Sequence, residues 1–459
     1  MATPSDPAAT PDTPLARAIG SKMLIVFIVG DILGAGIYAL VGKLSGLVGG
    51  MIWLPLAIGF AVAALTAGSY AELVGKYPRA AGAALYTHRA FNKPFLTFIV
   101  AFAVMMSGVA SASAAALAFG GRYLTVFIPD APTLIAAYGF IAAVTTVNFL
   151  GVSESVKVNL VLTIVEVTGL VIVIVVGLIG IARGEGDTSR AFTMTAPDGA
   201  LLGVLGATAL GFYALIGFED SVNLAEECEE PARSFPRGLF TGIAVTGVIY
   251  VVVAFIAVTL VAPVVLATSS GPLLEVVSAA GVAFPPQLFA VIALLAIGNT
   301  ALINMMMASR LLYGMANEGI VPSPLARVHA KRKTPVVAIG FTVVIALALI
   351  TYGRYSPDAV RDLADTTVLL LLLVFCLVNV AVLVLKRRPV PHKHYNTPWY
   401  VAALGAVTTL VLASPLSGRP ARVYLIAAAL VGLGALLWGI NRLITGRRIT
   451  EIDAEKLSK

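Results

Sequence analysis

Four carboxylates lie deep inside apolar runs of this 459-residue chain: Asp31, Glu166, Glu219 and Asp220. The runs are long enough to cross a bilayer. A charge at bilayer centre costs at least about 2.5–3.5 kcal/mol, so such a residue faces a cavity or a partner and is a functional candidate by default. Glu166 is the most isolated, the one charged residue between Val158 and Ile181. Desolvation disfavours a carboxylate anion, which suits Glu166 to load and release a proton. Ionised, it would hold sodium or an ammonium group. Its structural alternative is a pair with Asn148 or Thr163 that only fixes packing. Glu219 and Asp220 stand at the start of an outgoing half-helix, where a carboxylate complements the positive dipole end and can serve as a cap or touch a ligand.

Two of these acids sit beside glycine clusters. Gly30-Asp31-Ile32-Leu33-Gly34-Ala35-Gly36-Ile37 puts three glycines and a carboxylate at mid-membrane depth. Gly211 and Gly217 flank Phe212-Tyr213-Ala214-Leu215-Ile216 just before Glu219 and Asp220. Glycine costs a helix roughly 1 kcal/mol relative to alanine and leaves the backbone open to close approach. Paired glycine-interrupted spans in corresponding positions mark the binding site of inverted-repeat transporters. Freed N–H groups there suit a carboxylate, and freed carbonyls an ammonium or a cation. The alternative is that the glycines only let helices pack closely.

The elements that must hold these residues follow from composition. Hydrophobic residues make up 59% of the chain and charged residues 12%, with a mean hydropathy of +0.94. So few charges cannot cover a soluble surface of this size. Twelve apolar stretches have spanning length, at about 23–43, 51–74, 95–120, 132–151, 157–182, 201–224, 238–263, 285–315, 335–352, 366–385, 398–416 and 422–441. The chain therefore reads as an all-α polytopic membrane protein, with residues 1–20 a disordered tail rather than a cleaved signal peptide. Placing the N-terminus in the cytoplasm puts 23 of the 31 Lys and Arg residues inside. That fits the positive-inside rule with both termini cytoplasmic. The net charge of +7 is then explained by lipid headgroups and topology, not by nucleic acid. Two cysteines and four histidines lack metal-ligand spacing, and no cofactor or metal is expected. There is no nucleotide-binding loop and no paired Ser/His within the membrane, so neither an enzyme nor a nucleotide-driven pump is expected. Asn299 and Asn304 read as helix–helix hydrogen-bonding residues.

Four segments carry a likeness to a known family. They are Gly34-Ala35-Gly36-Ile37; Tyr70-Ala71-Glu72 through Tyr77-Pro78-Arg79-Ala80-Ala81-Gly82; Phe212 to Glu219 running into Ala225-Glu226-Glu227; and Ser309-Arg310-Leu311-Leu312-Tyr313-Gly314-Met315-Ala316-Asn317-Glu318-Gly319. With them the chain resembles a bacterial amino acid permease of the amino acid–polyamine–organocation superfamily. The resemblance implies a leucine-transporter-type fold, two inverted five-helix repeats at 21–185 and 200–388 with two extra helices at 398–441 and a cytoplasmic tail at 442–459. It implies alternating access and an amino-acid or amine substrate. The substrate carboxylate would meet the first break at Ile32, Gly34, Ala35, Gly36 and Ile37. The amine would meet Tyr213, Ala214, Ile216 and Gly217, with Tyr213 as gate. Several relatives carry a lysine at the fifth-span position, where this chain has Glu166; the sign is opposite. Asp31 and Ser309 would join Glu166 as coupling-ion or proton residues between spans one, five and eight. The expectation is a secondary transporter in the plasma membrane, proton-coupled, or else an exchanger of basic amino acids or polyamines; a channel or a transport-derived sensor is the other class.

Overall fold

The computed structural model describes residues 19–79, 82–150, 152–197 and 199–446. The expected tails at 1–20 and 442–459 lie mostly outside these residues, as do Ala80 and Ala81 of the second motif and the side chains of Glu226 and Glu227. The described chain is helical, and its one extended pairing is an isolated bridge between Ile19 and Cys228.

The first apolar stretch divides into α1 (Ser21–Ile32) and α2 (Ala35–Val48). Then come α3 (Trp53–Lys76), α4 (Gly82–Phe91), α5 (Pro94–Phe119), the short α6 (Arg122–Thr125), α7 (Thr133–Leu150) and α8 (Val152–Ala182). The sixth stretch begins as α9 (Ala200–Gly211) and then leaves the α-helical path, passing through 3₁₀ turns at Phe212–Leu215 and Asp220–Glu227. The second half of the described chain holds α10 (Pro231–Leu260), the short α11 (Pro263–Thr268) and α12 (Pro272–Ala279), and α13 (Pro286–Asn317). It ends with α14 (Val336–Tyr352), α15 (Ala359–Leu385), α16 (Trp399–Ala413) and α17 (Ala421–Thr445). Proline starts α5, α10 and α13, where its missing N–H costs nothing.

Among the described residues nine helices are long and apolar enough to cross a membrane, and α1 with α2, bent by 45° at their break, make ten. The apolar helices α14 and α16 are shorter, at 17 and 15 residues. At about 1.5 Å per residue they fall short of the ~30 Å hydrocarbon layer.

α1 packs on α10, and α13 packs on α5 and α8, so the first broken helix is held beside the helices that carry Glu166 and Asn299. Each end of the bundle carries buried ion pairs. At one, Glu72 meets Lys76 at 3.3 Å and Lys386 at 2.8 Å. At the other, Asp365 meets Arg419 at 3.4 Å and Asp362 meets Arg422 at 2.8 Å.

Candidate functional site

The first break is two residues, Leu33 and Gly34. Leu33 N–H still reaches the Val29 carbonyl at 3.0 Å, and Gly34 N–H turns to the Ile32 carbonyl at 2.8 Å. Side chains from two other helices take up backbone groups on either side. Tyr250 of α10 donates its hydroxyl to the Ile32 carbonyl at 2.9 Å. The Ala35 N–H donates to Thr300 Oγ1 of α13 at 2.8 Å. No side chain from the N-cap residue, Gly34, caps α2.

The second break is longer. After the 3₁₀ turn, Ile216 is extended and Gly217 takes φ +131°, a conformation that L side chains rarely adopt. Gly217 N–H donates to Glu219 Oε2 at 2.9 Å, so Glu219 caps the break from two residues away.

The glycines bring the two breaks onto each other. A Cβ on Gly36 would lie 2.6 Å from Ala214 Cα, and one on Gly217 would lie 2.6 Å from the Asp31 carbonyl oxygen. Sequence reading reserved this lack of bulk for a ligand; in the structure it lets backbone meet backbone.

Beside the junction is a cavity that both breaks line. Asp31, Ile32, Gly34, Ala35 and Gly36 line it from the first break, and Tyr213, Ile216, Gly217 and Asp220 from the second. Glu166 enters from α8. Ile37, Ala214 and Glu219 stand behind this wall, and Ser309 does not reach it. The Ser309 hydroxyl donates to the Met306 carbonyl of its own helix at 3.0 Å. Ten positions from Asn299 on α13, Ser309 sits about 15 Å along the helix axis from the residue that meets Glu166.

Asn299 is the residue that does meet Glu166. Its Nδ2 donates to Glu166 Oε2 at 3.4 Å and to Thr163 Oγ1 at 3.2 Å. Asn148 instead donates to the Leu302 carbonyl. Glu166 is fully buried, and the Tyr38 hydroxyl donates to its backbone carbonyl at 2.8 Å. Three sealed acceptor oxygens here have no donor: Asp31 Oδ2, Glu166 Oε1 and Asn299 Oδ1. Such atoms are costly when left unpaired, and a proton or a donor in the cavity would satisfy them.

Sequence reading missed Ser111, Thr300 and Ile303 on this wall and gave Asn299 and Asn304 only a packing role. A signal existed. Asn299, Thr300 and Asn304 form a polar patch in the apolar middle of their helix, with Thr300 and Asn304 at i, i+4. Asn304 also belongs to a chain in which Tyr213 Oη and Ser111 Oγ lie 2.9 Å apart and Asn304 Nδ2 reaches Ser111 Oγ at 3.5 Å.

Ser111, Ile216, Asp220 and Asn304 also line a larger chamber of about 830 Å³ of empty space, which extends to Gly82 and Asn223. Glu219 faces that chamber, and Asp220 faces both. Among the described residues no three His, Cys, Asp or Glu side chains gather closely enough to hold a metal ion.

A family model for amino acid permeases matches residues 19–436. The chain belongs to the amino acid permease family. Its relatives agree with this. The permease is 28% identical to an uncharacterized transporter of Mycobacterium tuberculosis over 99% of this chain and 97% of that protein. It is 27% identical to the branched-chain amino acid permease BcaP of Bacillus subtilis over 83% of each chain. It is 29% identical to cationic amino acid transporter 9, chloroplastic, of Arabidopsis thaliana over 69% of this chain and 58% of that one. The family and these relatives are transporters, and the expected place in the amino acid–polyamine–organocation superfamily holds. The permease is thus a multi-pass membrane protein of amino-acid transport.

Proposed function

We propose that this permease carries an L-amino acid across the plasma membrane by alternating access, coupled to a proton taken up at Glu166. The observation that supports it is one cavity bounded by two interrupted helices and by three acceptor oxygens without donors. The substrate carboxylate sits at the first break, on the Gly36 and Ile37 amides at the start of α2, with Ile32, Gly34 and Ala35 shaping the wall. The ammonium sits against the second break at Tyr213, Ala214, Ile216 and Gly217, with Tyr213 as gate. Asp31 shares the proton of Glu166, and Asn299 takes the place once given to Ser309. Glu219 holds the second break in shape, and Asp220 lies on the path between the chambers.

We count the nine helices, the bent pair and the two shorter apolar helices as twelve spans. We divide them into inverted repeats at 21–185 and 200–388 and two further helices at 398–441. The Lys and Arg bias puts both termini in the cytoplasm. The larger chamber, which reaches Gly82 and Asn223, is then the inner release route.

A second reading has a specific support. Asp31 and Asp220 both line the cavity, and acids there favour a cationic solute, so exchange of basic amino acids or polyamines is the competitor. BcaP is named for branched-chain substrates and the Arabidopsis relative for cationic ones. Uptake of L-leucine and L-lysine into proteoliposomes, with and without an inward proton gradient, decides between them. Gradient-driven uptake without counter-substrate supports proton coupling. Uptake only against preloaded amino acid supports exchange. No uptake of either amino acid or of a polyamine sinks both.

A further inference from the structure

Threonines in the spans of this permease mostly donate to their own helix. Thr145, Thr168, Thr246 and Thr366 each place Oγ1 on the carbonyl four residues back, at 2.6 to 2.8 Å. Thr300 does not. Its Oγ1 accepts the Ala35 N–H across the helix interface, and its own proton has no acceptor among the described residues. Gly34 makes the approach feasible, since a Cβ there would lie 2.9 Å from Thr300 Oγ1. Thr300 lines the cavity, beside the start of α2 and next in sequence to Asn299. An unpaired hydroxyl donor thus joins the first-turn amides of α2. The nearby unpartnered oxygens of Asn299 and of ionised Glu166, residues that are 2% and 0% exposed, accept. Donors on one side and acceptors on the other call for a ligand carrying both an anion and a cation.

We propose that Thr300 is a specificity-determining residue, whose hydroxyl donates to the substrate carboxylate and selects α-amino acids over the corresponding amines. The inference rests on the carboxylate placement above and deepens it. When Oγ1 accepts from Ala35 N–H, the hydroxyl proton is polarised towards the cavity. It adds a third donor beside the Gly36 and Ile37 amides, and a hydrogen bond to a charged acceptor is among the stronger kinds. An amine without a carboxylate gains nothing from it. A cap that only steadied the break would serve both ligands alike.

The test compares binding to the purified full-length protein of L-leucine against 3-methylbutylamine, and of L-lysine against 1,5-diaminopentane. Thr300→Val keeps the shape and removes the hydroxyl; Thr300→Ser keeps the hydroxyl. Thr300→Val is expected to weaken amino-acid binding roughly 10- to 100-fold and to leave amine binding within about twofold. Thr300→Ser is expected to stay near wild type for both. If Thr300→Val does not fold, Thr300→Ala is read the same way against Thr300→Ser. Equal losses for amino acid and amine, or no loss, overturn the inference while wild-type preference for the amino acid leaves the carboxylate placement standing. A wild-type protein indifferent to the carboxylate overturns both.

Discussion

Glu166 is held by one side-chain donor, the Asn299 amide, and its second oxygen is sealed without a partner. A glutamine in its place keeps the size, removes the titration and supplies its own donors. Glu166→Gln is therefore expected to abolish stimulation of uptake by an inward proton gradient while leaving exchange or binding partly intact. Proteoliposome uptake at two external pH values measures this, and an unchanged pH response removes Glu166 from the coupling role. Gly36 makes a different prediction from the one its sequence suggests. Its missing side chain faces Ala214 Cα, not open space, so added bulk pushes the two breaks apart. Even Gly36→Ala should cost about 1–3 kcal/mol, as overpacking does, and Gly36→Val should also lose substrate binding. Thermal unfolding with and without amino acid reads both effects; a Gly36→Val protein with normal stability and affinity would contradict the packing. At this scale the sequence was legible in part. An isolated acid such as Glu166 announces itself against apolar neighbours. Its partner does not, because which α13 residue faces α8 depends on helix rotation and depth. Ser309 was chosen by motif and Asn299 by neither motif nor composition.

The interrupted helices were the most legible elements, because glycine, depth and a nearby acid coincide at both Gly34 and Gly217. What could not be read was how their loose backbone groups are satisfied. That work falls to Tyr250 and Thr300, one from α10 and one from α13, and nothing local in either helix names a carbonyl or amide more than 200 residues away as its target. Tyr250 is fully buried, and its ring packs 6.0 Å from that of Phe60. Tyr250→Phe keeps that packing and removes only the hydroxyl that Ile32 accepts. The Ile32 carbonyl keeps the Gly34 N–H, so the variant loses one of its two hydrogen bonds, about 0.5–1.5 kcal/mol, and should unfold at a slightly lower temperature. Because the lost bond sits at the first break, substrate affinity should fall as well. Thermal melts and ligand titration of the purified variant test the pair of effects; a loss of stability with unchanged affinity would detach Tyr250 from the site and leave it a packing residue.

Across the whole molecule the two ends differ. Asp362 and Asp365 at the start of α15 are locked to Arg422 and Arg419, and Arg419 also donates to the Ala209 carbonyl of α9. Arg419 therefore ties the first half of the sixth span to α15 at that end. Towards the other end the larger chamber reaches Gly82 and Asn223, and it shares Ser111, Ile216, Asp220 and Asn304 with the inner cavity. Under the proposed alternating access, this chamber is the route that opens while the ion-paired end stays shut. The proposed orientation, drawn from the charge bias, puts that end in the cytoplasm. Asn223 lines that chamber and is half-buried, which makes it a reporter of both claims. In a background where Cys228 and Cys376 are changed to serine, Asn223→Cys should react with a membrane-impermeant maleimide in inside-out vesicles and not in intact cells. Saturating amino acid should slow the reaction if substrate closes the inner path. Labelling from the outside would reverse the orientation, and labelling indifferent to substrate would mean that this chamber takes no part in transport.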